Sequence, residues 1–216
     1  MRSFVRLLFF WIGFVFVTPA LAADPQTIPI LFLGDSLTEG YGVAKEKSYP
    51  TLVVAALNER LAAKKSERRV TALYGGVSGS TSASALSRFR WFLKARPGIL
   101  FLALGANDGL RGLSVAEMEK NLEATLTLAR EGKIPTIIAG MKLPPNYGVK
   151  NAKEFEAVFP RLAKKFRTPF VPFLLANVGG EKELNIEDGI HPNERGHEEI
   201  AKTILPILEA SLPKDK

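Results

Sequence analysis

Ile28-Pro29-Ile30-Leu31-Phe32-Leu33 is an apolar run that stops abruptly at Gly34-Asp35-Ser36. A short run with no polar residues at alternate positions reads as a strand covered on both faces, the situation of a strand inside a parallel sheet. The pattern recurs along the chain at Val70-Tyr74, Ile99-Leu104, Ile134-Ala139 and Pro169-Leu174, with amphipathic segments between. Alternating runs of this kind predict strand-helix units wound around a parallel sheet of about five strands, an α/β fold.

The intervening segments carry helix signals. Ser114-Val115-Ala116-Glu117 is a capping box, followed by Val115, Met118, Leu122 and Ala129 on one face, and Gly132 is expected to end that helix. Val53, Leu57 and Leu61 form a second buried stripe, and Leu86, Phe89 and Leu93 a third. Pro160 and Pro206 fall inside the last two helical patterns. A proline there removes a backbone donor and clashes with the preceding turn, so a break or kink is expected at each.

The first residues are of another kind. Arg2 and Arg6 precede an apolar segment from Leu7 to Val17, and Thr18-Pro19-Ala20-Leu21-Ala22-Ala23 follows, the three-part pattern of a secretory leader. Residues 1-22 are expected to be removed after Ala22, leaving 23-216 as one domain in the periplasm or outside the cell. A retained anchor is the competing reading, but the apolar segment is shorter than the roughly 20 residues a spanning helix needs. The chain has no Cys, which excludes disulfides, thiolate metal sites and a lipidated cysteine at the cleavage point. The net charge is +7, or +5 without Arg2 and Arg6. The basic residues are scattered and no aromatic-and-basic groove motif interleaves them, which argues against nucleic acid as a partner. Most are solvated helix faces, although the summed charge also suits peripheral contact with membrane lipids. No obligate protein partner is evident.

In a doubly wound sheet the binding crevice lies beyond the carboxyl ends of the strands. Four polar loops follow predicted strands on that edge: Gly34-Asp35-Ser36, Gly75 to Gly79, Gly105-Ala106-Asn107-Asp108-Gly109, and a last loop ending in Asp188-Gly189-Ile190-His191. A serine hydroxyl is a weak nucleophile without a base to take its proton and a third group to orient that base. Of the two histidines, His191 is the better base: Asp188 lies three residues before it and can hold the imidazole with Nε2 free, whereas His197 lies inside the last helix. Acyl transfer also needs donors for the developing oxyanion. The backbone N–H groups of Ser36 and Gly79 are candidates as predicted helix starts, and Asn107 can add a side-chain amide. Singly, each residue has a second reading. Ser36 could cap a helix, Asp188 and Asn193 could cap the next, and Asn107-Asp108-Gly109 could be a turn in which Asp108 braces the loop. Together, the four loops supply nucleophile, donor, carboxylate and base.

These residues also carry a resemblance. Gly34-Asp35-Ser36-Leu37-Thr38-Glu39-Gly40, Gly79, Gly105-Ala106-Asn107-Asp108 and Asp188-Gly189-Ile190-His191 resemble, in order, the four sequence blocks of the SGNH (GDSL) hydrolases. The match spans essentially the whole mature chain and is nearest the subgroup of bacterial periplasmic thioesterases, lysophospholipases and arylesterases. It implies a flavodoxin-like, three-layer α/β/α fold and a serine hydrolase of esters and thioesters. It further implies Ser36 as nucleophile, the Ser36 amide, Gly79 and Asn107 as oxyanion hole, and Asp188-His191 as the orienting pair. Asn107 to Gly112 and Leu143 to Gly148 resemble the subgroup's substrate-side loops, which makes Gly109, Leu110, Leu143, Pro144 and Tyr147 candidate contacts to a small-molecule or lipid acyl ester.

The mechanism that follows needs no metal and no organic cofactor. Asp188, His191 and His197 do not make a metal site, since histidines six apart do not share a helical face. Two rival functions stand beside it. One is a carbohydrate O-acetyl esterase or acyltransferase of the cell envelope on the same fold. Leu110, Leu113, Leu143 and Pro144 favour an acyl-chain groove over it, unless they are packing residues. The other is an exported binding module without catalysis, which would be marked by loss of a catalytic group, and none is missing.

Overall fold

The structure is a computed structural model and describes residues 27–213; the predicted leader lies outside them. Five strands, β1 (Thr27–Gly34), β2 (Arg69–Gly76), β3 (Ile99–Ala103), β4 (Thr136–Ala139) and β5 (Phe170–Val171), form a parallel sheet in the order β2-β1-β3-β4-β5. The helices are α1 (Ser36–Glu39), α2 (Tyr49–Ala63), α3 (Ala85–Phe92), α4 (Ala106–Leu110), α5 (Val115–Glu131), α6 (Val149–Phe166) and α7 (Glu194–Ser211).

Strand β1 shows why its run has no polar alternation. Ile30 and Phe32 face one core with Tyr49, Val53, Ile200 and Ile204 from α2 and α7. Leu31 and Leu33 face the other with Phe89, Leu122 and Phe155 from α3, α5 and α6. All four are fully buried, each contributing about 1.5–3 kcal/mol of transfer free energy. The result is the expected three-layer arrangement. The chain reverses direction across the sheet between β1 and β3, the switch point at which such sheets open a crevice.

Two boundaries differ from expectation. The run Pro169-Leu174 yields only a two-residue strand, because Pro169 and Pro172 have no N–H to give a ladder. Both interior prolines sit in unbroken helices, Pro160 in α6 and Pro206 in α7. Each lies on the exposed side of its helix. The carbonyl it leaves unpaired therefore faces water, while Phe159 and Leu162, or Leu205 and Leu208, keep the other side buried. The capping box is present, with the Glu117 N–H donating to Ser114 Oγ at 3.3 Å. Gly132 ends α5 with an ordinary φ of −74°, and the left-handed residue is Lys133. In the third predicted stripe Phe89 is fully buried, whereas Leu86 and Leu93 are only half-buried at its margins.

Candidate active site

Strand β1 delivers Ser36 to the crevice as the first residue of α1. The cap of that helix is Asp35, whose Oδ1 accepts the Leu37 N–H at 3.1 Å. Ser36 is thereby released from the capping role, and its Oγ lies 2.9 Å from His191 Nε2. Helix α1 sits so close to the end of β2 that a Cβ on Gly76 would come within 2.2 Å of the Glu39 nitrogen; only glycine fits there.

His191 is held from behind. Asp188 Oδ2 lies 2.6 Å from His191 Nδ1, and Oδ1 accepts the N–H groups of Ile190 at 2.9 Å and His191 at 3.0 Å. Partial desolvation raises the Asp188 pKa, but these hydrogen bonds outweigh it and hold the carboxyl below its ordinary value. The loop is closed by Ile186 N–H donating to the His191 carbonyl at 2.8 Å and by an antiparallel bridge between Asn185 and Pro192. The cap of α7 is Asn193, which accepts the Gly196 N–H at 3.1 Å, so Asp188 is left to the imidazole. The competing histidine lies elsewhere. His197 is fully buried under Tyr49, its Nδ1 accepting the Tyr49 N–H at 3.3 Å, and burial, with a smaller repulsion from His191, pushes its pKa down to about 4.

Gly79 does not begin a helix. It occupies a tight turn with φ +73°, a left-handed conformation that favours glycine, and the chain winds into α3 only from Ala85. The turn is pinned from several sides. Glu39 Oε2 accepts the Ser78 N–H at 2.7 Å and also the Ser78 hydroxyl. Arg111 Nη2 donates to the Gly79 carbonyl at 3.0 Å, and Asn107 Nδ2 to that of Ser80 at 3.0 Å. Asp108 is the brace expected of it: its carboxylate accepts both the N–H of Ser82 at 2.8 Å and its hydroxyl at 2.6 Å. Asn107 lies in α4, not in a turn.

The proposed substrate-side residues divide. Leu143 is buried in the core beneath Gly109, so close that a Cβ on Gly109 would lie 2.6 Å from Leu143 Cδ2 and 2.8 Å from Phe155. Leu110 and Tyr147 are half-buried against the same core, and Pro144 is exposed. The two loops are thus packed together where an acyl groove was expected, because Gly109 has no side chain to hold Leu143 away.

Several groups of the site escape a reading of the sequence. Asp35 is 2% exposed, and burial pushes its pKa up to about 6 against the opposing pull of the Leu37 N–H and the charges of His191 and Arg88. Arg88 reaches across from α3 to the carbonyls of Gly34, at 3.0 Å, and Gly75. Tyr41 lies against His191 with ring centroids 4.7 Å apart. Only the run Leu37 to Gly40 hinted at Glu39. For Arg88 and Arg111 no local signal exists, since their partners are backbone carbonyls at the ends of β1 and β2 and in the Gly79 turn.

The chain matches the model of the GDSL-like lipase/acylhydrolase family over residues 32–199, from β1 to α7. It is 33% identical to an arylesterase of Vibrio mimicus over 87% of this chain and 91% of that one. It is 32% identical to the thioesterase 1/protease 1/lysophospholipase L1 of Escherichia coli (strain K12), over 91% of this chain and 88% of the relative. Among solved structures, TesA superposes with a TM-score of 0.75 at 32% identity, covering 85% of this chain and 99% of that one. Since the matched span includes both the loop bearing Ser36 and the loop bearing His191, the chain belongs to the GDSL-like lipase/acylhydrolase family.

Proposed function

We propose that the chain is a serine hydrolase that cleaves carboxylic esters and thioesters, including aryl esters and lysophospholipids, through an acyl-enzyme on Ser36. The observation that carries this reading is the hydrogen-bonded line from Ser36 Oγ through His191, 2.9 Å and then 2.6 Å, to Asp188. Asp188 favours the tautomer with its proton on Nδ1, which leaves Nε2 to accept the Ser36 proton as Oγ attacks the carbonyl. The oxyanion would take the N–H groups of Ser36 and Gly79 and the Asn107 amide, which turns from the Ser80 carbonyl. His191 then returns its proton to the departing alcohol or thiol, and water repeats the attack. The activities of the relatives, arylesterase and thioesterase/lysophospholipase, support these substrate classes.

The mature enzyme is read as one domain, residues 23-216, exported to the periplasm after cleavage at Ala22. The leader pattern supports that location. The mature charge of +5 suits peripheral contact with anionic lipid. With Leu143 seated under Gly109, an acyl chain longer than a few carbons requires Leu143 to swing out. A fluorophosphonate probe tests the nucleophile: it should label the wild type at Ser36 and leave Ser36→Ala unmodified. Folded wild type that resists the probe would refute the assignment.

A further inference from the structure

We propose that a cleft beside Tyr41 receives the departing half of the ester, and that it is built for an aromatic alcohol. The proposal rests on the acyl-enzyme reading above. In acylation the Ser36 Oγ–acyl bond forms, the bond from the acyl carbon to the leaving oxygen breaks, and the proton taken by His191 Nε2 passes to that oxygen, releasing a neutral phenol. The leaving oxygen must therefore come within hydrogen-bond reach of Nε2, and its substituent must pass the open side of the imidazole.

Tyr41 lies against the imidazole, 4.7 Å away between ring centroids, and is 52% exposed. A cleft of about 550 Å³ runs on from it, lined by Tyr41, Val43, Lys45 and Tyr74, with Glu39 and Ser78. That size lies within the usual range for small-molecule sites. Tyr74 is 40% exposed yet anchored, its hydroxyl 3.0 Å from Thr51 Oγ1, which in turn donates to the Lys45 carbonyl at 2.8 Å. Lys45 Nζ stands 3.8 Å from the Tyr74 ring centroid. Tyr41 and the tethered Tyr74, each covered on one side by His191 and Lys45 respectively and part-exposed otherwise, suit a flat ring in offset or edge contact. The Glu39 carboxylate in this cleft is tied to the N–H and hydroxyl of Ser78, and Lys45, beside Tyr74, is the cation that an acidic substituent on the ring would meet. After β3, Leu143 seals Gly109, which leaves no comparable opening there.

The test uses phenyl, 4-carboxyphenyl and ethyl butanoates, which share an acyl group, so that kcat/KM reports the acylation step in which the leaving group departs. In Tyr74→Ala the phenyl-to-ethyl ratio of kcat/KM should fall about fivefold. In Lys45→Glu, a change on an exposed turn that does not threaten folding, the 4-carboxyphenyl-to-phenyl ratio should fall about fivefold and recover at high salt. Ratios unaltered in both variants would overturn the proposal. So would unaltered ratios together with an altered preference among phenyl acetate, butanoate and octanoate, which would put the acyl chain in the cleft. Wild type inert toward all three esters would overturn the hydrolase reading itself, and the cleft with it.

Discussion

Replacing Asp35 by Asn should make the protein more stable and less active, and the gain should depend on pH. Asp35 is 2% exposed, and its pKa is raised from 3.8 to about 6, chiefly by burial. A displacement of that size corresponds to about 3 kcal/mol between the two protonation states. Because the folded-state pKa is the higher one, the native protein holds a proton that the unfolded chain has released between about pH 4 and pH 6. The wild type therefore loses stability as pH rises through that window and stays at the lower level above it. Asn cannot ionise, yet it offers Oδ1 to the Leu37 N–H and is as good a helix cap as Asp. Urea unfolding should show Asp35→Asn more stable than wild type by up to about 3 kcal/mol at pH 8, with the difference vanishing below pH 4. The buried negative charge also favours the imidazolium formed at His191 during turnover, so kcat should fall in the same variant. No gain at pH 8, or the same gain at pH 3 and pH 8, would refute the reasoning.

Asp188→Asn keeps the Oδ1 acceptor for the loop amides but turns an N–H toward His191 Nδ1. The imidazole should adopt the wrong tautomer, lowering kcat/KM by about 10³ to 10⁴ while the melting temperature measured by calorimetry stays near wild type. Asn107→Ala should lower kcat by about 10² to 10³ in a steady-state ester assay with little change in KM, the pattern of a donor used only in the transition state. Leu143→Ala should cost about 2–5 kcal/mol in chemical denaturation, since it empties a packed site. Across a chain-length series of esters, the same variant should shift preference toward longer acyl groups.

How far the sequence reached can be judged strand by strand. Strands β1 and β3 were legible because each residue in their cores is buried on one face or the other, leaving an unbroken apolar run. β5 is shorter than its apolar run because Pro169 and Pro172 interrupt the ladder, a cost that hydrophobic patterning does not register. Pro160 and Pro206 misled for the opposite reason: a local rule foresaw a break, and packing on the buried side of each helix overrode it. At the site, the approach of Ser36 to His191 followed from the ends of β1 and of the last loop meeting at one sheet edge. The setting of Gly79 did not, because Glu39, Arg111 and Asp108 hold that turn through contacts made only after folding. Packing of Leu143 onto Gly109 likewise depends on how two loops meet, which no pattern within either one encodes.

The parallel sheet brings an early and a late segment of the chain to one place. Ser36 arrives on the first strand, whereas His191 arrives 155 residues later, on the loop before a terminal helix that docks against α2 through Glu209 with Arg60 and Lys64. A chain still being synthesised thus carries the attacking hydroxyl but not its partner. An enzyme able to cleave lipid esters would stay harmless to the cell that makes it until its last segment has closed the fold.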